Sequence, residues 1–316
     1  THVEVQGLLD TSNMKELADR FYRNLEFGTG GLRGVMGAGT NRMNLYTVRM
    51  ATQGLANYLL KLKSAVSRGV DIAHDSRINS PLFAREAACV LAANKIKVYL
   101  FDSLRPVPQL SFAVRHKKAM AGICITASHN PPEYNGYKVY FQDGAQITPP
   151  HDKNIIAEAE KLSSPSQVRL GSFEEGFDRG LIQMLGPEAD KAYLDAVLAQ
   201  SVRKPADNIK IVYTPLHGSG LVPVRAALGG LGFKQVVVVS EQEAPDGSLP
   251  PVSPPTPEEP ASLGLGIGYF EREKADLLLA TDPDCDRVGI AVKGTDGKPV
   301  LLNGNQIGAL LIDYVL

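Results

Sequence analysis

Gly122-Ile-Cys-Ile-Thr-Ala-Ser128-His-Asn-Pro-Pro-Glu-Tyr-Asn-Gly-Tyr-Lys138 starts as an apolar run of strand length and breaks into a polar, proline-marked turn that carries a serine. Working outward, a helical pattern near Pro108 to His116 precedes this strand, and an apolar strand from Ile96 to Phe101 precedes that helix. Further upstream come a helix from Pro81 to Asn94, a strand from Val70 to Ala73 and a helical pattern from Thr47 to Val66. Strands alternating with helices predict an α/β fold in which crossover helices pack on a mainly parallel sheet. At the N-terminus, Leu17, Phe21 and Leu25 recur at helical spacing between Met14 and Phe27, with Ser12 or Asn13 available as a cap.

The same alternation restarts after Lys204-Pro205, with a strand from Ile209 to Tyr213, a helix after Gly220, a strand from Gln235 to Ser240 and a strand from Ala275 to Ala280. The expectation is therefore tandem α/β domains, 1–203 and 204–303, with their mixed, mainly parallel sheets sandwiched by helices. A helical pattern from Gly304 to Leu316 would open a third unit. The seven prolines between Ala244 and Pro260 predict a long surface connection, since proline continues neither a ladder nor a helix interior. From Ser262 to Phe270 the glycines Gly264, Gly266 and Gly268 would each cost a helix roughly 1 kcal/mol relative to alanine, and a crossover helix there is implied only by resemblance to a known family.

Of the 316 residues 44% are hydrophobic, enough for a substantial core, and the formal net charge of −1 gives no global reason to expect nucleic acid or an anionic membrane as partner. Three scattered cysteines, Cys89, Cys124 and Cys285, do not make a disulfide framework and fit a reducing cytoplasm. No segment approaches the roughly eighteen apolar residues a membrane span requires.

About 150 residues after the serine comes Thr281-Asp-Pro-Asp-Cys-Asp-Arg287, in which three carboxylates occupy every second position ahead of a guanidinium. In an extended loop Asp282, Asp284 and Asp286 would point to one side, with Pro283 and Cys285 away from them. Serine and acidic loop both follow apolar strands, where open α/β sheets collect ligands. Together they suggest phosphoryl transfer: serine is a poor nucleophile at neutral pH, and a hard cation held by oxygen ligands offsets the charge of a phosphate upon it. An EF-hand reading fails, because its sixth position would be Arg287 instead of glycine and its twelfth Lys293 instead of glutamate. Magnesium, completed by an oxygen on Ser128, is the expected ion. Arg287 can reach a phosphate with a bidentate fork or simply balance the aspartates. Arg33 sits among Gly28, Gly30, Gly31 and Gly34, a cluster that matches neither a dinucleotide fingerprint nor a P-loop but lets a cation approach phosphate closely. Arg77, in His74-Asp-Ser-Arg77, is expected to support the serine loop or merely to pack, and His217 to face the cleft or to pack.

Thr126-Ala-Ser-His-Asn-Pro131, Asn135-Gly-Tyr-Lys138 and Asp282-Pro-Asp-Cys-Asp-Arg287, in this order and with Phe27-Gly-Thr-Gly-Gly-Leu-Arg-Gly34 before them, resemble the α-D-phosphohexomutase family and its phosphoglucomutase and phosphopentomutase branch. The resemblance implies Ser128 as phosphoryl carrier, Lys138 as general acid/base with a lowered pKa, and His129 and Asn130 as groups that orient phosphate oxygens or relay protons. It implies a cytoplasmic enzyme that interconverts hexose 1-phosphate and hexose 6-phosphate, glucose first, through a bisphosphosugar, with glucose 1,6-bisphosphate as activator. Mannose or ribose phosphate is the alternative substrate. The family has four domains, so the chain reads as the first two and the opening helix, 304–316, of the third. A phosphosugar is the partner of the whole enzyme; on that reading this chain binds Mg²⁺ and carries phosphate on Ser128, yet turns over phosphosugar poorly.

Overall fold

The computed structural model describes residues 1–28, 31–203, 208–250 and 255–316. Helices α1 (His2–Asp10) and α2 (Met14–Phe21) open the chain. The helix expected to reach Phe27 stops at Phe21, since the Leu25 N–H turns away to donate to the Thr40 carbonyl at 2.7 Å. There follow β1 (Phe27–Gly28), β2 (Gly31–Val35), α3 (Leu45–Leu59), α4 (Ala65–Arg68), β3 (Val70–His74), α5 (Ser80–Ala93), β4 (Val98–Phe101) and α6 (Val107–Lys117). The chain continues through β5 (Ala121–Ile125), β6 (Tyr134–Phe141), α7 (His151–Glu160), α8 (Phe173–Asp178), β7 (Ile182–Leu185) and α9 (Pro187–Leu198). Asn44 caps α3 by accepting from the Tyr46 and Thr47 amides, while Thr47 returns a bond to the Asn44 amide. The single helix expected from Thr47 to Val66 stops at Leu59, where the Lys61 and Leu62 amides tighten onto the Tyr58 and Leu59 carbonyls, and restarts as α4 after Ser64, left-handed at φ 64°.

These strands form one sheet of order β1-β2-β6-β5-β3-β4-β7. Strands β5, β3, β4 and β7 run parallel, and β6, β2 and β1 extend the sheet antiparallel. Both faces are covered. Val70 and Ile72 of β3 and Ile123 of β5 join the core beneath α3 and α5, while Ala73 and Cys124 face the core beneath α6. Alternate residues of one strand thus feed two cores, which is why the strands read as continuous apolar runs.

The second sheet, order β12-β11-β10-β8-β9, consists of β8 (Lys210–Thr214), β9 (Gln235–Val238), β10 (Leu277–Thr281), β11 (Val288–Lys293) and β12 (Pro299–Leu302). Its helices are α10 (Leu221–Gly230), α11 (Gly264–Glu273) and α12 (Gly304–Val315). The expected junction at Lys204-Pro205 lies outside the described residues. So do 251–254 of the proline-rich connection, whose remaining part is not wholly superficial. Pro255, Thr256 and Pro257 are buried, because Gly289 of β11 leaves room that a Cβ, 1.8 Å from the Pro257 carbonyl oxygen, would take.

The crossover helix does form in spite of its glycines, as α11, with Tyr269 and Phe270 buried against Leu278 and Val212. Tertiary burial outweighs propensity here. Gly268 is exposed, with nothing within 4 Å of where its Cβ would lie. Gly268→Ala is therefore expected to stabilise the chain by about 1 kcal/mol, read as a higher urea midpoint. Gly266 differs, since its Cβ would come within 3.0 Å of Leu278. Among the described residues no helix is long and apolar enough to cross a membrane.

Candidate active site

The loops leaving β5 and β10 at their carboxyl ends meet. Ser128, 3% exposed and at a left-handed φ of 54°, donates from its hydroxyl to Asp282 Oδ2 at 3.1 Å across 154 residues of sequence. One oxygen from each of Asp282, Asp284 and Asp286 lies within 4.8 Å of the others, so the expected cluster is present. It is not built on an extended loop. The Cys285 N–H closes a turn on the Asp282 carbonyl at 2.9 Å with φ 55° at Cys285, and Asp282 Oδ1 accepts the Asp286 and Arg287 amides at 3.1 Å each. These bonds, rather than strand alternation, bring the carboxylates together.

Lys138 of β6 donates to Asp284 Oδ2 at 2.7 Å and to Asp286 Oδ2 at 3.1 Å, and Thr126 Oγ1 donates to the same Asp284 oxygen at 3.1 Å. The other oxygen, Asp284 Oδ1, is buried without a hydrogen-bond partner. A buried carboxylate oxygen left open beside two more carboxylates fits a hard divalent cation. The charges argue the same way. Burial, together with repulsion from Asp284 and Asp286, pushes the Asp282 carboxyl well above the usual carboxylate range. Burial would also raise Asp284, but the Lys138 ammonium holds it below the usual carboxylate range.

Lys138 departs from expectation. Burial would lower its pKa, yet attraction to Asp284 and Asp286 outweighs burial and raises it, so the ammonium form prevails. His129 Nδ1 lies 3.3 Å from the Ser128 oxygen, and burial, aided by the positive Arg287 and Arg33, lowers its pKa. Arg33 Nη1 donates to Asn130 Oδ1 at 3.0 Å. With Lys138, Gly28, Gly31 and Gln146, Arg33 lines an open cavity of about 500 Å³. Gly31 is required there: at φ 145° its Cβ would fall 1.8 Å from the Tyr137 carbonyl, and only glycine lets β2 close on β6 and carry Arg33 to the cavity. Gly30, expected in the same cluster, lies outside the described residues. The half-buried Arg287 forms no ion pair with the aspartates among the described residues, and its positive charge is felt at His129.

Two residues left open by sequence are resolved. Arg77 turns its guanidinium to the serine loop, donating to the Ser128 carbonyl at 2.7 Å, to those of Pro131 and Tyr134 at 2.8 and 3.0 Å, and to that of Asn130. His217 does not face the cleft; it is buried, with Nδ1 2.9 Å from the Ala244 carbonyl and Nε2 against that of Pro250. The acidic loop is also gripped by backbone groups no motif shows. The Val107 N–H, at the start of α6, donates to the Asp284 carbonyl at 2.9 Å, and the Ser219 N–H to the Pro283 carbonyl at 2.8 Å. Thr126 has a role that sequence reasoning misses, bonding both Asp284 and the Ser128 amide; its place at a strand end, two residues before the serine, is the one signal that points to it.

Comparison with known proteins agrees with this geometry. Residues 24–166 match the family model "Phosphoglucomutase/phosphomannomutase, alpha/beta/alpha domain I", and residues 191–297 match the corresponding domain II. A phosphoglucomutase of Staphylococcus epidermidis is 38% identical over 311 residues, covering 98% of this chain and 56% of its own length. A human phosphopentomutase is 37% identical, with 97% and 52% covered. The crystal structure of a candidate phosphomannomutase from Thermus thermophilus superposes with a TM-score of 0.74 at 27% identity, covering 92% of this chain and 61% of that one. The chain spans about half the length of the curated relatives it matches. With both domain models matched in order around the paired serine and aspartate loops, the chain belongs to the phosphoglucomutase/phosphomannomutase family.

Proposed function

We propose that this chain is the phosphoryl-carrying part of a cytoplasmic phosphosugar mutase, with Ser128 as carrier and Asp282, Asp284 and Asp286 as ligands of Mg²⁺. Its two sheets would be domains 1–203 and 204–303, and 304–316 the opening helix of a third. The observation that carries the reading is the Ser128 hydroxyl lying 3.1 Å from a buried carboxylate of a three-aspartate cluster with an unpartnered oxygen. A divalent cation bound there would neutralise phosphate charge and so lower the barrier.

The chain's own groups handle the protons and the remaining charge. As the phosphoryl group leaves phosphoserine 128, the P–O bond to the serine breaks and a bond to a sugar hydroxyl oxygen forms. The proton lost by the sugar hydroxyl is balanced by one taken up at the departing serine oxygen, where His129, its Nδ1 3.3 Å away and its pKa lowered by burial, is placed to relay a proton. Lys138, kept as ammonium by Asp284 and Asp286, supplies positive charge beside the cluster. Arg33, which lines the cavity and donates to Asn130 Oδ1, would hold the sugar's phosphate together with Asn130 and Arg287. The bisphosphosugar then turns and returns its other phosphate to Ser128. Glucose phosphate is the first substrate to try, with glucose 1,6-bisphosphate as activator; mannose and ribose phosphates follow, the human phosphopentomutase relative favouring ribose as the alternative.

Incubated with glucose 1,6-bisphosphate and Mg²⁺, the chain is expected to gain the mass of one phosphate on Ser128. Ser128→Ala is expected to gain none and, in the full-length protein, to lose mutase turnover on the order of 10⁴-fold or more. Full uptake of phosphate by Ser128→Ala, measured by intact-mass spectrometry, would falsify the carrier assignment.

A further inference from the structure

We infer that Arg77 is a positioning residue for the phosphoryl carrier, organising the serine loop from inside so that the Ser128 oxygen points into the acidic cluster. The inference rests on Ser128 being that carrier. Between β5 and β6 the loop wraps around one guanidinium, which is 1% exposed and takes four carbonyls spread from Ser128 to Tyr134. Buried carbonyls need donors, and a planar fork that offers several N–H groups in fixed directions can satisfy this set where a single ammonium cannot.

The anchoring is continuous. Arg77 Nε lies 3.4 Å from Asp75 Oδ2, and both side chains are fully buried. Asp75 Oδ1 accepts the Arg77 amide at 2.9 Å and the Ser80 hydroxyl at 2.7 Å. Ser80 in turn accepts from Asn135 Nδ2 of β6 at 3.0 Å, so the network leaves β3 and returns to the far side of the same loop. At its end, Ser128 has its carbonyl fixed by Arg77 and its amide fixed by Thr126 Oγ1 at 2.8 Å. With both flanking peptides pinned, the strained left-handed backbone of Ser128 persists, and only its side-chain torsion remains free. Arg77 touches neither the serine oxygen nor the carboxylates, so it acts through the loop.

The test compares the unchanged chain with Arg77→Lys and Ser80→Ala. The rate at which Ser128 takes phosphate from glucose 1,6-bisphosphate is followed by intact mass, and Mg²⁺ binding by calorimetry. Arg77→Lys is expected to transfer about 100-fold more slowly, with the half-saturating donor concentration and the Mg²⁺ affinity each within about 2-fold of the unchanged chain. Ser80→Ala, which removes one link upstream, is expected to slow transfer about 5-fold. A general loss of structure would instead lower Mg²⁺ affinity in step with the rate, and that result overturns the inference. So does transfer by Arg77→Lys at the unchanged rate or, where that variant does not fold, by Ser80→Ala at the unchanged rate. If the unchanged chain takes up no phosphate, the carrier reading falls and this inference with it.

Discussion

Lys138→Met is expected to cost the chain about 3–5 kcal/mol of stability in the absence of divalent cation, and added Mg²⁺ is expected to restore part of that loss. Lys138 is buried and forms the ion pairs that meet Asp284, whose side chain is fully buried, and the partly exposed Asp286. Methionine matches the length of the stem and removes only the charge and its donors. Asp284 would then be a buried carboxylate bonded only to Thr126, next to two other acids. Breaking one side of a buried pair costs more than the pair contributes, because the remaining charge stays desolvated. A divalent cation supplies the missing positive charge at the open Asp284 Oδ1, so stability should become steeply dependent on Mg²⁺ concentration. Urea denaturation in EDTA and in millimolar Mg²⁺ measures both parts. Equal midpoints for the variant and the unchanged chain in EDTA would mean that the acidic loop does not depend on Lys138.

The second large effect lies away from the site. Asp71 of β3 is fully buried beneath α6, and neither of its carboxylate oxygens has a hydrogen-bond partner. Burial raises its pKa to about 7, and only distant attraction from Lys117 opposes this. Since the folded chain holds this proton up to about pH 7 and the unfolded chain releases it near 3.8, the folded state binds more protons between those values. Stability from this group therefore falls as pH rises through that window and levels off above it. A rise from 3.8 to about 7 corresponds to about 4 kcal/mol. Asp71→Asn keeps the shape and cannot ionise, so its advantage over the unchanged chain is expected to be near zero at about pH 4 and to approach about 4 kcal/mol at about pH 8. Thermal or urea melts of both proteins across that range decide it; parallel curves would show that Asp71 is already satisfied.

Much of the fold is local in origin, which is why it could be read from the chain. Strands β3 to β5 and their helices follow from apolar runs and periodicity, and the serine and aspartate loops from residue types that do chemistry at strand ends. What escaped the sequence depends on groups far apart in it. The break before α4 comes where the Lys61 and Leu62 amides tighten onto the Tyr58 and Leu59 carbonyls ahead of a left-handed serine. The aspartates converge through a turn at Cys285 that alternation does not foresee. Lys138 is raised, not lowered, because two carboxylates about 150 residues away in sequence lie against it. The Val107 amide that holds the acidic loop carries no side-chain signature, and the Ser219 amide and hydroxyl that share the Pro283 carbonyl belong to no motif.

That grip has a consequence for how the molecule comes apart. Two sheets with separate cores ought to melt in two steps, yet the acidic loop is clasped by Val107, Thr126 and Lys138 on one side and Ser219 on the other. Prising the halves apart would strip partners from buried carboxylates at the same moment. The reactive pocket thus doubles as a keystone, and the two sheets are expected to melt in one transition instead of two.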